Sequence, residues 1–152
     1  MIRVPKELIA AIKAHGERTF PNECCGIIFG RLDEAGEDGL LSLKTASELQ
    51  PLSNEFQSDE KYHRFLITGQ QMFEAERYAS QKGLEIIGIY HSHPDCASRP
   101  SEYDRSHAVP LYSYLITSVL AGKAVDVQNW TLIWNEKENK NIFTAEELEI
   151  TE

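Results

Sequence analysis

Apolar positions along this chain follow two periods. After Pro5, a residue suited to a first helical turn, Leu8, Ile9 and Ile12 recur at helical spacing and predict a helix that stops near Gly16. Cys25–Phe29 is a short apolar run that predicts a buried strand ending at Gly30. The acidic, glycine-rich stretch Asp33–Gly39 predicts an exposed hairpin-like loop, and Leu40–Leu49 a strand. Pro51–Glu60 is polar and carries no period, and Tyr62–Ile67 reads as a short strand. Thr68, with Gln71 three residues on, predicts a capping box that opens a helix ending at Gly83. Leu84–Tyr90 is dense enough in apolar residues for a central strand. Ser101 is expected to cap a third helix reaching Val109. Tyr112–Leu120 and Val125–Trp134 read as strands joined by a turn at 121–123, and Thr144–Glu152 as a short helix or frayed end.

Helices and strands alternating in this way predict an α/β or α+β fold with a mixed sheet. At 152 residues the chain is expected to form one domain, 1–152, large enough to fold without disulfides or a structural metal. Asp and Glu outnumber Lys and Arg by 24 to 15, a net charge of −9 that argues against a nucleic-acid binder. No apolar run is long enough to span a bilayer, and Met1–Leu8 has no signal-peptide core. The three cysteines, two of them adjacent (Cys24, Cys25), fit no CxxC site. The expectation is a reduced, cytoplasmic protein with no membrane or nucleic-acid partner.

The chemistry concentrates in His91-Ser92-His93-Pro94 and Pro100-Ser101-Glu102-Tyr103-Asp104. Residues two apart on a strand share a face, so His91 and His93 can present two imidazoles to one point at the strand's end. Asp104, in the first turn of the next helix, can face them. Two neutral imidazoles and a carboxylate suit zinc with a water in the fourth position. Ser101 and Asp104 are equally a helix-capping pair, and the two readings are compatible because a capped turn holds both side chains rigidly. Glu23, just before the Cys25 strand, is the candidate proton shuttle. Ser101 can donate a hydrogen bond to an oxyanion.

Taken together, these residues resemble the JAMM/MPN+ metalloprotease family, whose pattern is an upstream Glu, then His-x-His, seven residues, Ser, two residues and Asp. Here Pro94–Pro100 supply the seven and Glu102-Tyr103 the two; Glu23 sits in PNECCGIIFG, and Gly88–Pro94 and the strand from Tyr114 also match. The resemblance covers about Pro21 to Trp134 and is similar in phrasing to the small single-domain bacterial members. It implies a cytidine-deaminase-like layered mixed β-sheet flanked by helices. It implies Zn2+ held by His91, His93 and Asp104, with Glu23 as acid/base and Ser101 stabilising the tetrahedral intermediate. The implied activity is peptidase or isopeptidase hydrolysis after the Gly-Gly tail of a ubiquitin-like sulfur-carrier protein. The alternative is a non-catalytic scaffold of the same fold that binds such a partner. A zinc deaminase would need H-x-E with P-C-x-x-C, and neither occurs.

Other residues carry bland readings beside sharper ones. Cys25 is a buried small hydrophobe rather than a thiol nucleophile, and Cys24 is a partly exposed neighbour. Cys96, three after His93, is close enough in sequence to approach the metal. His107 is placed for a hydrogen bond behind Asp104. By resemblance, Asn54 and Phe56 line the substrate groove. Trp130 and Trp134 read as core or interface. Oligomeric state stays open, a homodimer being the commonest arrangement.

Overall fold

The computed structural model describes residues 1–33 and 43–152, so the loop expected at Asp33–Gly39 and the start of the strand expected at Leu40 lie almost wholly outside the described residues. In chain order the elements are β1 (Ile2–Pro5), α1 (Lys6–Thr19), β2 (Cys25–Asp33), β3 (Leu43–Leu52), a 3₁₀ turn (Asp59–Tyr62), α2 (Gly69–Lys82), β4 (Glu85–Pro94), α3 (Glu102–His107), β5 (Ser113–Leu120), β6 (Lys123–Asn135), β7 (Lys140–Ala145) and β8 (Leu148–Thr151).

The strands form one mixed sheet in the order β7-β6-β5-β4-β2-β3-β1-β8. Pairing is parallel for β1 with β3 and β8 and for β4 with β5, and antiparallel elsewhere. The edge strands β7 and β8 are neighbours in the chain, separated only by residues 146–147. Glu146 donates its N–H to Asn129 O at 3.0 Å on one side of that link, and Ile2 donates to Glu147 O at 2.9 Å on the other. Both edges therefore meet, and the sheet curls almost closed around α1, which packs against β1, β3, β4, β5, β6 and β8.

Strand alternation sorts the core into two layers. Ile28, Ile87, Tyr90 and Leu115 face inward onto Ile9 and Ile12 of α1. Ile27, Phe29, Ile89 and Tyr114 face outward onto Ala75 and Ala79 of α2. The small alanines on α2 let that helix lie close to β4, and its ends are as its sequence dictates. Thr68 Oγ accepts from Gln71 N, Gln71 answers to the Thr68 backbone, and Gly83 closes the helix in the left-handed region at φ 67°.

A buried polar cluster ties the meeting edges together. Lys44 Nζ donates to Ser113 Oγ at 2.9 Å and to Glu146 Oε2 at 3.2 Å, and Asn129 Nδ2 donates to Glu146 Oε1 at 2.8 Å. Burial alone would raise the Glu146 carboxyl, but the Ser113 hydrogen bond and the Lys44 charge outweigh it and hold it below the usual range.

Three local expectations are corrected. The tail is not a helix or frayed end: it forms the end of β7 and all of β8, which pairs with β1. Short strands of this kind are stabilised by partners distant in sequence, which local periodicity does not register. Tyr62–Ile67 is not a strand. Asn54 Oδ1 accepts from Leu66 N at 3.1 Å and its Nδ2 donates to Arg64 O at 2.9 Å, so a side chain takes the place of a ladder. The first helix begins at Lys6 and runs through Gly16 to Thr19. Gly16 is not a stop because it sits where α1 passes close to the sheet: a Cβ there would lie 3.1 Å from Val119 and 3.2 Å from Ser92. Among the described residues, no helix is long and apolar enough to cross a membrane.

β2 and β4 also approach closely. Gly26 pairs with Tyr90, whose ring lies over the glycine so that its hydroxyl meets His15 Nδ1 at 2.9 Å. A Cβ on residue 26 would fall 2.2 Å from the Tyr90 ring. Gly26→Ala is expected to lower unfolding free energy by about 3 kcal/mol in a urea titration, through overpacking. A loss under ~0.5 kcal/mol, the range of an ordinary surface substitution, would contradict this packing.

Candidate metal centre

The site forms at the end of β4, a central strand held between β2 and β5. His91 and His93 project from the outer face, continuing the row of Ile89, while Tyr90 and Ser92 point inward. Ser92 performs a second task from that inner side. Its hydroxyl accepts from Cys24 N at 2.8 Å, and its own N–H donates to Cys24 O at 3.2 Å. The residue between the two histidines is thereby bound twice to the residue after Glu23. Glu23 is held further by its N–H donating to Lys61 O at 2.7 Å and by Asn54 Nδ2 donating to its carbonyl at 3.2 Å.

Asp104 arrives from α3. Ser101 Oγ accepts from Asp104 N at 3.1 Å and Asp104 Oδ2 accepts from Ser101 N at 2.8 Å, a complete capping box. That same Oδ2 lies 3.1 Å from His93 Nε2 and 3.4 Å from His91 Nε2, and the two Nε2 atoms are 3.3 Å apart. His93 Nδ1 is 2.8 Å from Ala97 O. A carbonyl can only accept, so the proton of a neutral His93 ring is on Nδ1 and its Nε2 presents a lone pair.

Three buried atoms able to bind a metal thus form a triangle with edges of 3.1, 3.3 and 3.4 Å. Ligands about 2.0–2.1 Å from a tetrahedral centre lie roughly 3.3–3.4 Å from one another, so the triangle has the size of three corners of such a site. Burial pushes the His91 imidazole down, toward the neutral form that binds metal. Burial works against the Asp104 carboxylate, but His91, the hydrogen bonds with both histidines and the Ser101 N–H outweigh it and hold its carboxyl far below the usual range. The donor set fits a borderline cation such as zinc.

Glu23 stands beside the triangle. One of its carboxylate oxygens lies within 4.8 Å of ligand atoms of both His91 and His93, yet neither oxygen has a hydrogen-bond partner among the described residues, although the side chain is buried. Burial, and then the Asp104 charge, push its carboxyl up to about 9. Two carboxylates therefore border the histidines. Asp104 Oδ2 sits at ligand spacing from both rings and is braced by Ser101 N. Glu23 lies beside both rings and has no hydrogen-bond partner among the described residues.

The remaining candidates separate. Cys24 and Cys25 are both buried, and burial pushes their thiols up to about 11 and about 12, out of the nucleophile range. Cys24 is thus not partly exposed. Cys96 is exposed and lines a cleft with Glu23 and His93. His107 does not reach Asp104: it stacks on Tyr103 at 4.1 Å, and its Nδ1 lies 2.9 Å from Tyr103 O. Asn54 braces the Glu23 loop, and Phe56 packs edge-on against Tyr103. Trp130 is half-buried and donates to Ser98 O at 3.0 Å, whereas Trp134 is 56% exposed. Phe65 stacks on His91 at 4.5 Å. Neither it nor Ser92 was singled out by sequence. The strand alternation that placed His91 and His93 together also signalled that Ser92 must face the opposite layer.

Comparisons with known proteins agree with this geometry. A family model described as prokaryotic homologs of the JAB domain matches residues 5–133. The solution structure of a protein from Desulfitobacterium hafniense is similar at 27% identity and a TM-score of 0.78, covering 100% of this chain and 94% of that one. A structure described as "JAMM: a metalloprotease-like zinc site in the proteasome and signalosome" shares the fold, with a TM-score of 0.51 at 15% identity over 100% of this chain and 99% of that one. Tail tip assembly protein K of Escherichia phage N15 is 27% identical over 101 residues, which is 66% of this chain but only 34% of the phage protein's length. With its curled mixed sheet and its histidines at the end of a central strand, the chain belongs to the prokaryotic JAB-domain homologues of the JAMM/MPN family.

Proposed function

We propose that the protein is a zinc-dependent peptidase that hydrolyses the amide bond following the Gly-Gly tail of a small ubiquitin-like sulfur-carrier protein. The observation that carries this reading is the triangle of His91 Nε2, His93 Nε2 and Asp104 Oδ2 with an unpartnered buried carboxylate beside it. In this reading the three atoms hold the ion. When bound, zinc supplies a Lewis acid and acidifies a water toward neutral pH.

Glu23 takes a proton from the water at a carboxylate oxygen and delivers it to the leaving amine. Burial raises its proton affinity, and a neighbouring cation would lower it. Ser101 Oγ already accepts from Asp104 N, which leaves its own hydrogen to donate to the developing oxyanion. The Gly-Gly substrate is what the family resemblance implies, and the steric demand agrees with it. Glu23, His91, His93 and Asp104 are all at most 9% exposed, so a scissile bond reaches them most readily on backbone without side chains.

Many domains of this fold serve as scaffolds, and Glu23 separates the two cases. Glu23→Gln is expected to retain zinc at the wild-type stoichiometry while hydrolysis of a Gly-Gly-X tail falls about 10²- to 10⁴-fold. Mass spectrometry of the tail and elemental analysis of the same samples read both quantities. Unchanged turnover would remove Glu23 from the chemistry, and no turnover in the wild type would favour the scaffold.

The same side chain governs the pH dependence of the metal-free fold. A carboxyl whose folded pKa lies above its unfolded value stabilises the fold fully below about pH 4.5 and loses that stabilisation as pH rises toward about 9. Metal-free Glu23→Gln is therefore expected to gain stability relative to metal-free wild type as pH rises from 5 to 8, by about 1 kcal/mol per pH unit. Urea titrations showing a pH-independent difference would mean that Glu23 ionises freely in the fold.

A further inference from the structure

His93, Ser118 and Asp126 stand side by side on β4, β5 and β6. His93 pairs with Ser118 across the parallel ladder, and Ser118 with Asp126 across the antiparallel one. Further along the same strands Ile89, Tyr114 and Trp130 form an equivalent row, and those three pack on the outer face with α2. Each polar residue is an even number of positions from its apolar counterpart, so all three project outward as well. Each holds a different residue of one loop. The chain turns back after Pro94 with Asp95 in the left-handed region at φ 54°. Asp95 N donates to Val119 O at 2.7 Å, and its Oδ1 accepts from Ala121 N at 2.8 Å. Ser118 Oγ then donates to Cys96 O, and His93 Nδ1 to Ala97 O at 2.8 Å. Ser98 Oγ shares its hydrogen between the two Asp126 carboxylate oxygens at 2.9 and 3.0 Å.

The Ala97 carbonyl and the Ser98 N–H belong to one planar peptide unit. The direction of that carbonyl is therefore set by the residues on either side of it. Ser118 holds Cys96 on one side. On the other, Asp126 holds the Ser98 hydroxyl, and Trp130 Nε1 donates to Ser98 O at 3.0 Å. Ser98 is buried, so water does not compete for its hydroxyl. The carbonyl fixed in this way is the acceptor that keeps the proton of a neutral His93 ring on Nδ1 and leaves Nε2 facing His91 and Asp104. The other imidazole differs: His91 Nδ1 is buried and has no hydrogen-bond partner among the described residues. His93 is thus the ring whose far nitrogen the fold holds.

We infer that Ser98 and Asp126 are positioning residues for His93: the hydrogen bond between them aims the Ala97 carbonyl, which holds the imidazole in the tautomer and orientation that bind a metal ion. This rests on the ion-binding part of the proposed function and not on the peptidase activity. It brings in Asp126 from β6, a strand that carries none of the candidate ligands. It also gives the segment 94–100 a physical task. That segment links His93 to Ser101, and by folding back over β5 and β6 it carries a carbonyl to the far side of the His93 ring.

Two readouts other than turnover test it. The first is the tautomer of His93 in metal-free protein at a pH where the ring is neutral, read from the nitrogen-15 shifts of the ring. Wild type is expected to show the Nδ1–H form, and Ser98→Ala a mixture with the Nε2–H form. The second is zinc affinity, measured by competition with a chromophoric chelator. Ser98→Ala and Asp126→Ala are each expected to weaken zinc binding by about 10-fold, the lower end of the range for groups that hold metal ligands. Both remove the same hydrogen bond, so the double variant is expected to bind within about 2-fold of either single one. Asp126→Asn keeps an acceptor oxygen and is expected to bind within about 3-fold of wild type. Urea titrations report the stability of each protein, and Ser98→Ala, which removes a single oxygen, carries the test if Asp126→Ala does not fold. Variants that lose stability but keep the wild-type tautomer and zinc affinity overturn this inference and leave the metal centre standing. Losses that add in the double variant also overturn it, because the two side chains then act separately. A wild type that binds no zinc overturns the metal centre and this inference together.

Discussion

Imidazoles and carboxylates crowded together away from water are stable only when a proton or a cation lies between them, and this protein gathers four such groups at one point. His91 Nε2, His93 Nε2 and Asp104 Oδ2 lie within 3.4 Å of one another, with the unpartnered Glu23 carboxylate beside them. In a site of low dielectric such an arrangement is costly unless a proton or cation occupies the centre. The fold supplies the rigidity that keeps it assembled. β4 fixes both histidines on one face, the Ser92–Cys24 pair of hydrogen bonds fixes Glu23 against them, and the Ser101 capping box fixes Asp104. Asp104 Oδ2 both braces the start of α3 and faces the imidazoles, so the helix cap and the candidate ligand are one atom.

That rigidity extends to the whole sheet. β4 stays central because the sheet curls around α1 until β7 and β8 meet at residues 146–147. Lys44, Ser113, Asn129 and Glu146 hydrogen-bond to one another where the edges join. Removing one partner from such a buried cluster leaves the others uncompensated, which is why it acts as a lock rather than as a simple source of stability. Tyr90 passes over Gly26 to reach His15, so the strand that carries the histidines is held to α1 as well as to β2.

Much of this was legible in the sequence because it is local. The His91-Ser92-His93 alternation, the Ser101–Asp104 spacing and the Thr68–Gln71 box each depend on a few adjacent residues, and each forms as read. What escaped is non-local. β1 and β8 are four residues long and exist by pairing with each other and with β3, so neither carries a period of its own. Tyr62–Ile67 has strand composition but is held by the Asn54 side chain. His107 shares a helix with Asp104 but turns to Tyr103. Glu23 had a plausible sequence position, but that it has no hydrogen-bond partner among the described residues is visible only in three dimensions.

The central claim is that three named atoms share one cation and Glu23 does not join them. Anomalous diffraction across the zinc absorption edge, from crystals grown with zinc, tests it most directly. The account predicts one zinc-specific peak bonded by His91 Nε2, His93 Nε2 and Asp104 Oδ2, with the Glu23 carboxylate outside bonding distance. A site without zinc signal, or a peak bonded by Glu23 in place of Asp104, would contradict it.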